Sequence, residues 1–157
     1  MSGDLTLVPL SEDLLPRVLE LERVCFSLPW SRAAFLPELP DPACCWRAAL
    51  VDGVLAGYAG MRTVLDEGYI SNVAVAPEFR RRGIGENLVT ALIREGQRRT
   101  LSFLTLEVRV SNESARRLYS RLGFREVGLR PGYYERPRED ALFMTYYYEN
   151  ELTPPAS

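Results

Sequence analysis

The sequence predicts a mixed α/β (α+β) fold: one central sheet with helices on both faces. Three observations carry this. Early β-type runs are joined by tight turns, and later ones are separated by helical patterns. Hydrophobic residues make up 46% of the chain and charged residues 25%, the balance of a packed globular protein. Its 157 residues suit one domain with its own core.

The elements follow in order. Residues 5–9 (LTLVP) alternate and stop at a proline, as a first strand does. Ser11 is a candidate N-cap for a helix carrying Leu14, Leu15, Val18, Leu19, Leu21 and Val24 at helical spacing, ending near Cys25 and Phe26. Ser31 is placed to cap a short second helix through Phe35, stopped by Pro37 and Pro40. Residues 45–51 and 54–61 flank Asp52-Gly53, a dipeptide that favours a two-residue hairpin turn. Residues 68–76 form a further strand closed by Pro77. A helix follows the loop Arg80–Gly85, with Leu88, Val89, Leu92 and Ile93 on one face. Residues 103–110 read as a strand and 113–122 as a helix, with Ser111 or Asn112 as cap and Gly123 as its end. Residues 124–128 and 141–148 complete the sheet. The expected organisation is one domain over residues 1–148 and a flexible tail over 149–157.

Composition narrows the chemistry. The net charge is −2 and the pI about 5.3, so the basic footprint of a nucleic-acid binder is missing. The chain contains no His, which removes the commonest general base and the commonest metal ligand. Cys25, Cys44 and Cys45 fit neither a disulfide framework nor a zinc site, so no metal is expected. No signal peptide or membrane-spanning run is visible, and a cytoplasmic protein is expected.

Two constellations can carry chemistry. In the first, a strand through Asn72, Val73, Ala74 and Val75 leads into Arg80-Arg81-Arg82-Gly83-Ile84-Gly85 and then a helix. Glycines let backbone amides approach a ligand, and a helix N-terminus presents unpaired N–H groups, so the unit suits a phosphate. The spacing fits neither a P-loop nor a dinucleotide fingerprint. Taken alone, the pattern reads first as a tight turn with a solvated basic patch. In the second, Glu107 sits in an apolar strand and Tyr119 on the helix that follows. A carboxylate there either pairs with an arginine such as Arg109 or has its pKa raised into a useful range. Tyr119 is either a core phenol or a proton donor.

Taken together, Arg-x-x-Gly-x-Gly after a strand, Asn112, Leu118-Tyr119 and Leu122-Gly123-Phe124 resemble the GNAT acetyltransferase superfamily over residues 5–148. Cys25-Phe26, Pro29-Trp30-Ser31, Phe35, Asn72–Val75, Leu106–Arg109, Tyr133-Tyr134 and Glu139–Ala141 resemble its bacterial ribosomal-protein S18 alanine N-acetyltransferase branch, the RimI branch. The resemblance implies acetyl-CoA as cosubstrate and a protein N-terminus, that of ribosomal protein S18, as acceptor. It implies that Arg81, Arg82, Gly83, Ile84, Gly85 and Glu86 wrap the pyrophosphate and that Val73, Ala74 and Val75 bind the pantetheine arm. Asn112 matches a cofactor contact, Glu107 the general base and Tyr119 the general acid; Trp30, Tyr133 and Tyr134 match positions near the docked substrate. Glu86 departs from the basic residue common at its position. Two other readings stand beside this one: an acetyltransferase for a small-molecule amine or lysine, and an acyl-CoA-binding module without catalysis. Glu22, Asp66, Glu67, Glu135 and Glu139 are the acids that could match a polyamine. A binding module would need neither Glu107 nor Tyr119, and both are present.

Overall fold

In the computed structural model, which describes residues 3–148, seven strands and four α-helices occur in the predicted order. The predicted tail, residues 149–157, lies outside the described residues. The strands are β1 (Leu5–Pro9), β2 (Cys44–Val51), β3 (Val54–Val64), β4 (Glu67–Val75), β5 (Phe103–Arg109), β6 (Arg125–Glu135) and β7 (Arg138–Tyr147). The helices are α1 (Leu15–Cys25), α2 (Arg32–Phe35), α3 (Ile84–Arg98) and α4 (Glu113–Leu122).

The sheet order is β1-β2-β3-β4-β5-β7-β6. All neighbours are antiparallel except β4 and β5, which run parallel and are joined through α3. Side chains alternate across the buried strands and feed two cores. Cys45, Ala49 and Leu104 face the core that includes Leu88, Val89 and Leu92 of α3. Cys44, Trp46 and Ala48 face the one that includes Leu15, Val18 and Leu21 of α1.

The local signals act as their chemistry demands. Asp52 and Gly53 both have positive φ, at 50° and 81°, which matches the twist of a two-residue hairpin. Ser31 caps α2 by accepting a hydrogen bond from the Ala34 N–H at 3.2 Å. Asn112, not Ser111, caps α4, accepting from the Ala115 N–H at 3.2 Å. Gly123 ends α4 with φ 107°.

Three expectations need correction. Ser11 makes no capping bond to the backbone; its hydroxyl donates to Asp13, and a 3-10 turn (Glu12–Leu14) precedes α1. Val24 is exposed rather than on the buried stripe. The last two strands are longer than the expected 124–128 and 141–148. Pro131 and Gly132, which read as loop residues, sit in β6 because the β6–β7 register shifts between Arg130 and Tyr134 and absorbs them.

Candidate active site

The site begins where the sheet opens. β4 and β5 pair only through Glu67–Tyr69 and Phe103–Thr105. Beyond Tyr69, β4 remains bonded to β3 and β5 to β7, but not to each other. The register of β3 and β4 shifts opposite Gly60 and Met61, leaving Ser71 as the extra residue just where the strands part. A strand bonded on one side presents backbone N–H and C=O groups on the other. Val73, Ala74 and Val75 lie in this stretch, bonded to β3 through Ala59, Tyr58 and Gly57.

At the end of β4 the chain enters the arginine-glycine loop. Arg81 (φ 65°) and Gly83 (φ 77°) both take left-handed backbone conformations, and Gly83 is the N-cap of α3. The first helical bond runs from the Asn87 N–H to the Gly83 carbonyl, so the N–H groups of Ile84, Gly85 and Glu86 point out of the helix start. A Cβ on Gly83 would meet nothing within 4 Å, so the space beside this turn is open. A Cβ on Gly85 would make ordinary contact with Leu118 of α4 at 3.4 Å. Ile84 is buried, so only its backbone can reach a ligand. The arginines divide their work. Arg80 folds back, its Nε donating to the Val75 carbonyl at 3.2 Å. Arg82 lies over the Phe79 ring at 5.3 Å. Arg81 is exposed. Glu86, the acid at this anion-ready end, lies 3.9 Å from Arg121, which offsets its charge. Open backbone, helix start and arginines together fit a pyrophosphate, and the gap between β4 and β5 fits the extended arm that follows it.

Between the strands and the 26–30 loop lies a cleft of about 720 Å³. Its walls bring together Trp30, Val73, Glu107, Asn112, Tyr119, Tyr133 and Tyr134, seven of the residues expected to form the site. Ala74, Val75 and the arginine-glycine loop are not among its lining residues. They lie along the path a long cosubstrate would take toward it.

Glu107 stands on β5 facing the cleft. It forms no ion pair among the described residues; Arg109 bonds to Glu139 at 3.5 Å, so the Glu107–Arg109 pairing does not occur. Glu107 remains open to solvent, yet the walls around it strip water from the carboxylate and raise its pKa, with its own backbone N–H and Arg130 opposing. Tyr119 is 7% exposed, and its hydroxyl has no hydrogen-bond partner among the described residues, although no buried side-chain oxygen is left unpaired. The hydroxyl therefore opens into the cleft. Burial pushes its pKa well above the ordinary phenol range, with Tyr134 adding to the rise. Tyr134 itself is pushed up to about 12, first by burial and then by Glu107.

Asn112 holds the α4 cap with its Oδ1 and has no partner for its amide nitrogen among the described residues. Cys25 also lines the cleft, but burial raises its thiol pKa, so it is protonated near neutral pH and a poor nucleophile.

Three residues named in the reading of the sequence hold roles at the site that it did not assign. Glu22, grouped there with acids that could match a polyamine, is wholly buried. Its position four residues after Val18 and seven after Leu15 puts it on the apolar stripe, which is the signal that could have found it. Asn72 lines the cleft and donates to Glu22 at 2.9 Å. Arg109 reaches Ser27 Oγ at 3.4 Å and the Arg136 and Pro137 carbonyls at 3.1 and 2.8 Å, tying opposite walls together. Of the other acids weighed for polyamine binding, Asp66 is bonded to Ser102, Glu67 to Tyr69 and Glu139 to Arg109 and Ser111. Glu135 lines the cleft with no ion pair among the described residues.

A parted parallel pair, an anion-ready helix start and a carboxylate and a phenol facing one cleft fit an acyltransferase that works on a thioester cosubstrate. The chain belongs to the acetyltransferase (GNAT) family, whose profile matches residues 15–124. It is an acetyltransferase that draws its acetyl group from acetyl-CoA. Among its relatives, the ribosomal protein bS18-alanine N-acetyltransferase of Haemophilus ducreyi is 37% identical over 134 residues, 83% of this chain and 92% of that one. The enzyme of the same name from Escherichia coli K12 is 36% identical over 132 residues, 83% of this chain and 88% of that one. The crystal structure of the ribosomal-protein-S18-alanine N-acetyltransferase from Escherichia coli superposes with a TM-score of 0.85 at 33% identity, covering 96% of this chain and 99% of that one. No helix among the described residues is long and apolar enough to cross a membrane.

Proposed function

We propose that the enzyme acetylates a protein N-terminal α-amine, the N-terminal Ala of ribosomal protein S18, in a ternary complex in the cytoplasm. One domain, residues 1–148, carries the whole activity. The observation that carries the reading is that Glu107 and Tyr119 face one cleft and neither is held by another side chain among the described residues. The names and extent of the relatives support the choice of acceptor.

Glu107 accepts the proton of the attacking amine, directly or through a water. A raised carboxylate pKa makes it a stronger base than a solvated Glu. The demand is modest, because an α-amine with pKa about 7.7–8.0 is already roughly 10–20% neutral at pH 7, whereas a lysine amine near ~10.4 is well under ~0.1% neutral. Acetyl-CoA, when bound, supplies the thioester carbonyl. A backbone N–H in the Val73–Val75 stretch steadies the charge that develops on its oxygen. Tyr119, kept protonated by burial, hands its proton to the departing sulfur. Arg81, Arg82 and the amides of Gly83, Ile84, Gly85 and Glu86 hold the pyrophosphate, and the Asn112 side chain steadies the bound cosubstrate. Trp30, Tyr133 and Tyr134 receive the first residues of the acceptor. Glu135 adds an unpaired negative charge there, which favours a basic peptide.

The test is mass spectrometry of acetyl-CoA reactions with two peptides. One has a free N-terminal Ala followed by Arg and an aromatic residue; the other is blocked at its N-terminus and carries a lysine. Every basic side chain of the enzyme is arginine, so its own side chains offer no competing amine. Acetylation of the first peptide alone is expected. Acetylation of the lysine peptide, or of neither, would overturn the acceptor assignment.

A further inference from the structure

Glu22 is the one fully buried carboxylate among the described residues, and the proposed chemistry does not use it. It lies in the last turn of α1 with no cation within ion-pair distance among the described residues. Its Oε1 accepts the backbone N–H of Trp30 at 2.7 Å. Its Oε2 accepts the Tyr58 hydroxyl at 2.6 Å and the Asn72 amide at 2.9 Å. Its backbone carbonyl accepts the Phe26 N–H at 3.0 Å. One residue therefore fastens both ends of the 26–30 loop and ties it to β3 and β4.

A buried carboxylate without a cation is costly, and the three donors it accepts offset part of that cost. What the carboxylate supplies is geometry, because three donors from three segments converge on two oxygens. Two of the segments line the cleft. Trp30 lines it and is seated against Phe35 and Trp46 at ring distances of 5.1 and 5.5 Å. Asn72 lines it too, directly after the bulged Ser71 where β4 leaves β5.

We infer that Glu22 is a positioning residue for the acceptor: it fixes the Phe26–Trp30 loop against the open stretch of β4 and so sets the acceptor wall of the cleft. The inference rests on the reading that the acceptor docks beside Trp30. The arginine-glycine loop takes part in none of these bonds.

Two substitutions separate geometry from bulk. Glu22→Met keeps the volume and removes every acceptor. Glu22→Gln keeps one oxygen for Trp30, while the Tyr58 hydroxyl and Asn72 amide can turn to accept from its NH2. The acceptor KM should rise about tenfold or more in Glu22→Met, the scale of buried donors left unpaired. It should return to within about threefold of wild type in Glu22→Gln, with the acetyl-CoA Kd unchanged in both. An unchanged acceptor KM in Glu22→Met, an equal loss of acetyl-CoA affinity, or no recovery in Glu22→Gln would overturn the inference. If Glu22→Met does not fold, Tyr58→Phe removes one donor and should raise the acceptor KM about threefold; no rise overturns it. Hydrogen exchange at the Trp30 amide tests the brace without any acceptor. Protection in wild type and in Glu22→Gln is expected whichever amine the enzyme acetylates, and rapid exchange in wild type defeats the inference even if the peptide assay succeeds.

Discussion

The guanidinium of Arg109 lies 4.3 Å from the centre of the Tyr134 ring. From that position it also reaches Ser27 at the foot of the acceptor loop and the carbonyls of Arg136 and Pro137 in the turn between β6 and β7. One planar cation thus spans the two sides of the cleft mouth. A lysine has neither the planar face nor the fork of donors to make all of these contacts. Arg109→Lys should therefore raise the acceptor KM about tenfold and leave the acetyl-CoA Kd unchanged, as steady-state kinetics with either substrate varied will read.

Glu107 should set the acid limb of the pH profile. Its pKa lies above the ordinary carboxylate value, so the proton that disables it binds at a higher pH than for a solvated Glu. In wild type, kcat/KM should fall as pH drops through that raised value, beyond the fall owed to protonation of the amine. Glu107→Gln should lower the rate by about 10²-fold or more and erase this limb. A limb that survives the substitution would assign the base elsewhere.

Tyr119→Phe removes one oxygen from an otherwise unchanged ring. The ring packs against Phe124 at 5.6 Å, so the fold should tolerate the change. Turnover should drop about 10²-fold while calorimetry finds acetyl-CoA binding intact. Turnover within twofold of wild type would remove the phenol from the reaction.

Gly60→Ala probes the core rather than the chemistry. A Cβ at this position would fall 2.1 Å from the Trp46 ring, which lies flat across the glycine. Trp46 is buried and bonded through its Nε1 to Glu38 at 2.9 Å, so the ring has little room to yield. The substitution should lower stability by about 1–3 kcal/mol, measured as a lower denaturation midpoint.

What could be read from the sequence is what depends on neighbours along the chain. The Asp52-Gly53 turn, the Ser31 and Asn112 caps and the Gly123 helix end each need only residues a few positions away. The anion-ready loop was legible for the same reason, since strand, glycines and helix are contiguous. Glu22 was not, because its environment comes from Tyr58 and Asn72, 36 and 50 residues distant. Nor was the full length of β6. Its Leu129-Arg130-Pro131-Gly132 stretch has the composition of a loop, and only pairing with β7 through a shifted register makes it a strand. The meeting of Glu107 and Tyr119 was legible only as a resemblance, since no spacing rule states which face of β5 looks at α4.

The order of the sheet also governs how the enzyme is made. β7 is the last strand among the described residues, yet it sits inside the sheet, between β5 and β6. During synthesis everything from β1 to α4 can gather around α1 and α3 before residues 138–147 emerge. Until then β5, which carries Glu107, has a bare edge able to recruit a strand from another chain. A nascent chain can therefore own its arginine-glycine loop and still lack one wall of the cleft, which closes only when the β6–β7 hairpin arrives.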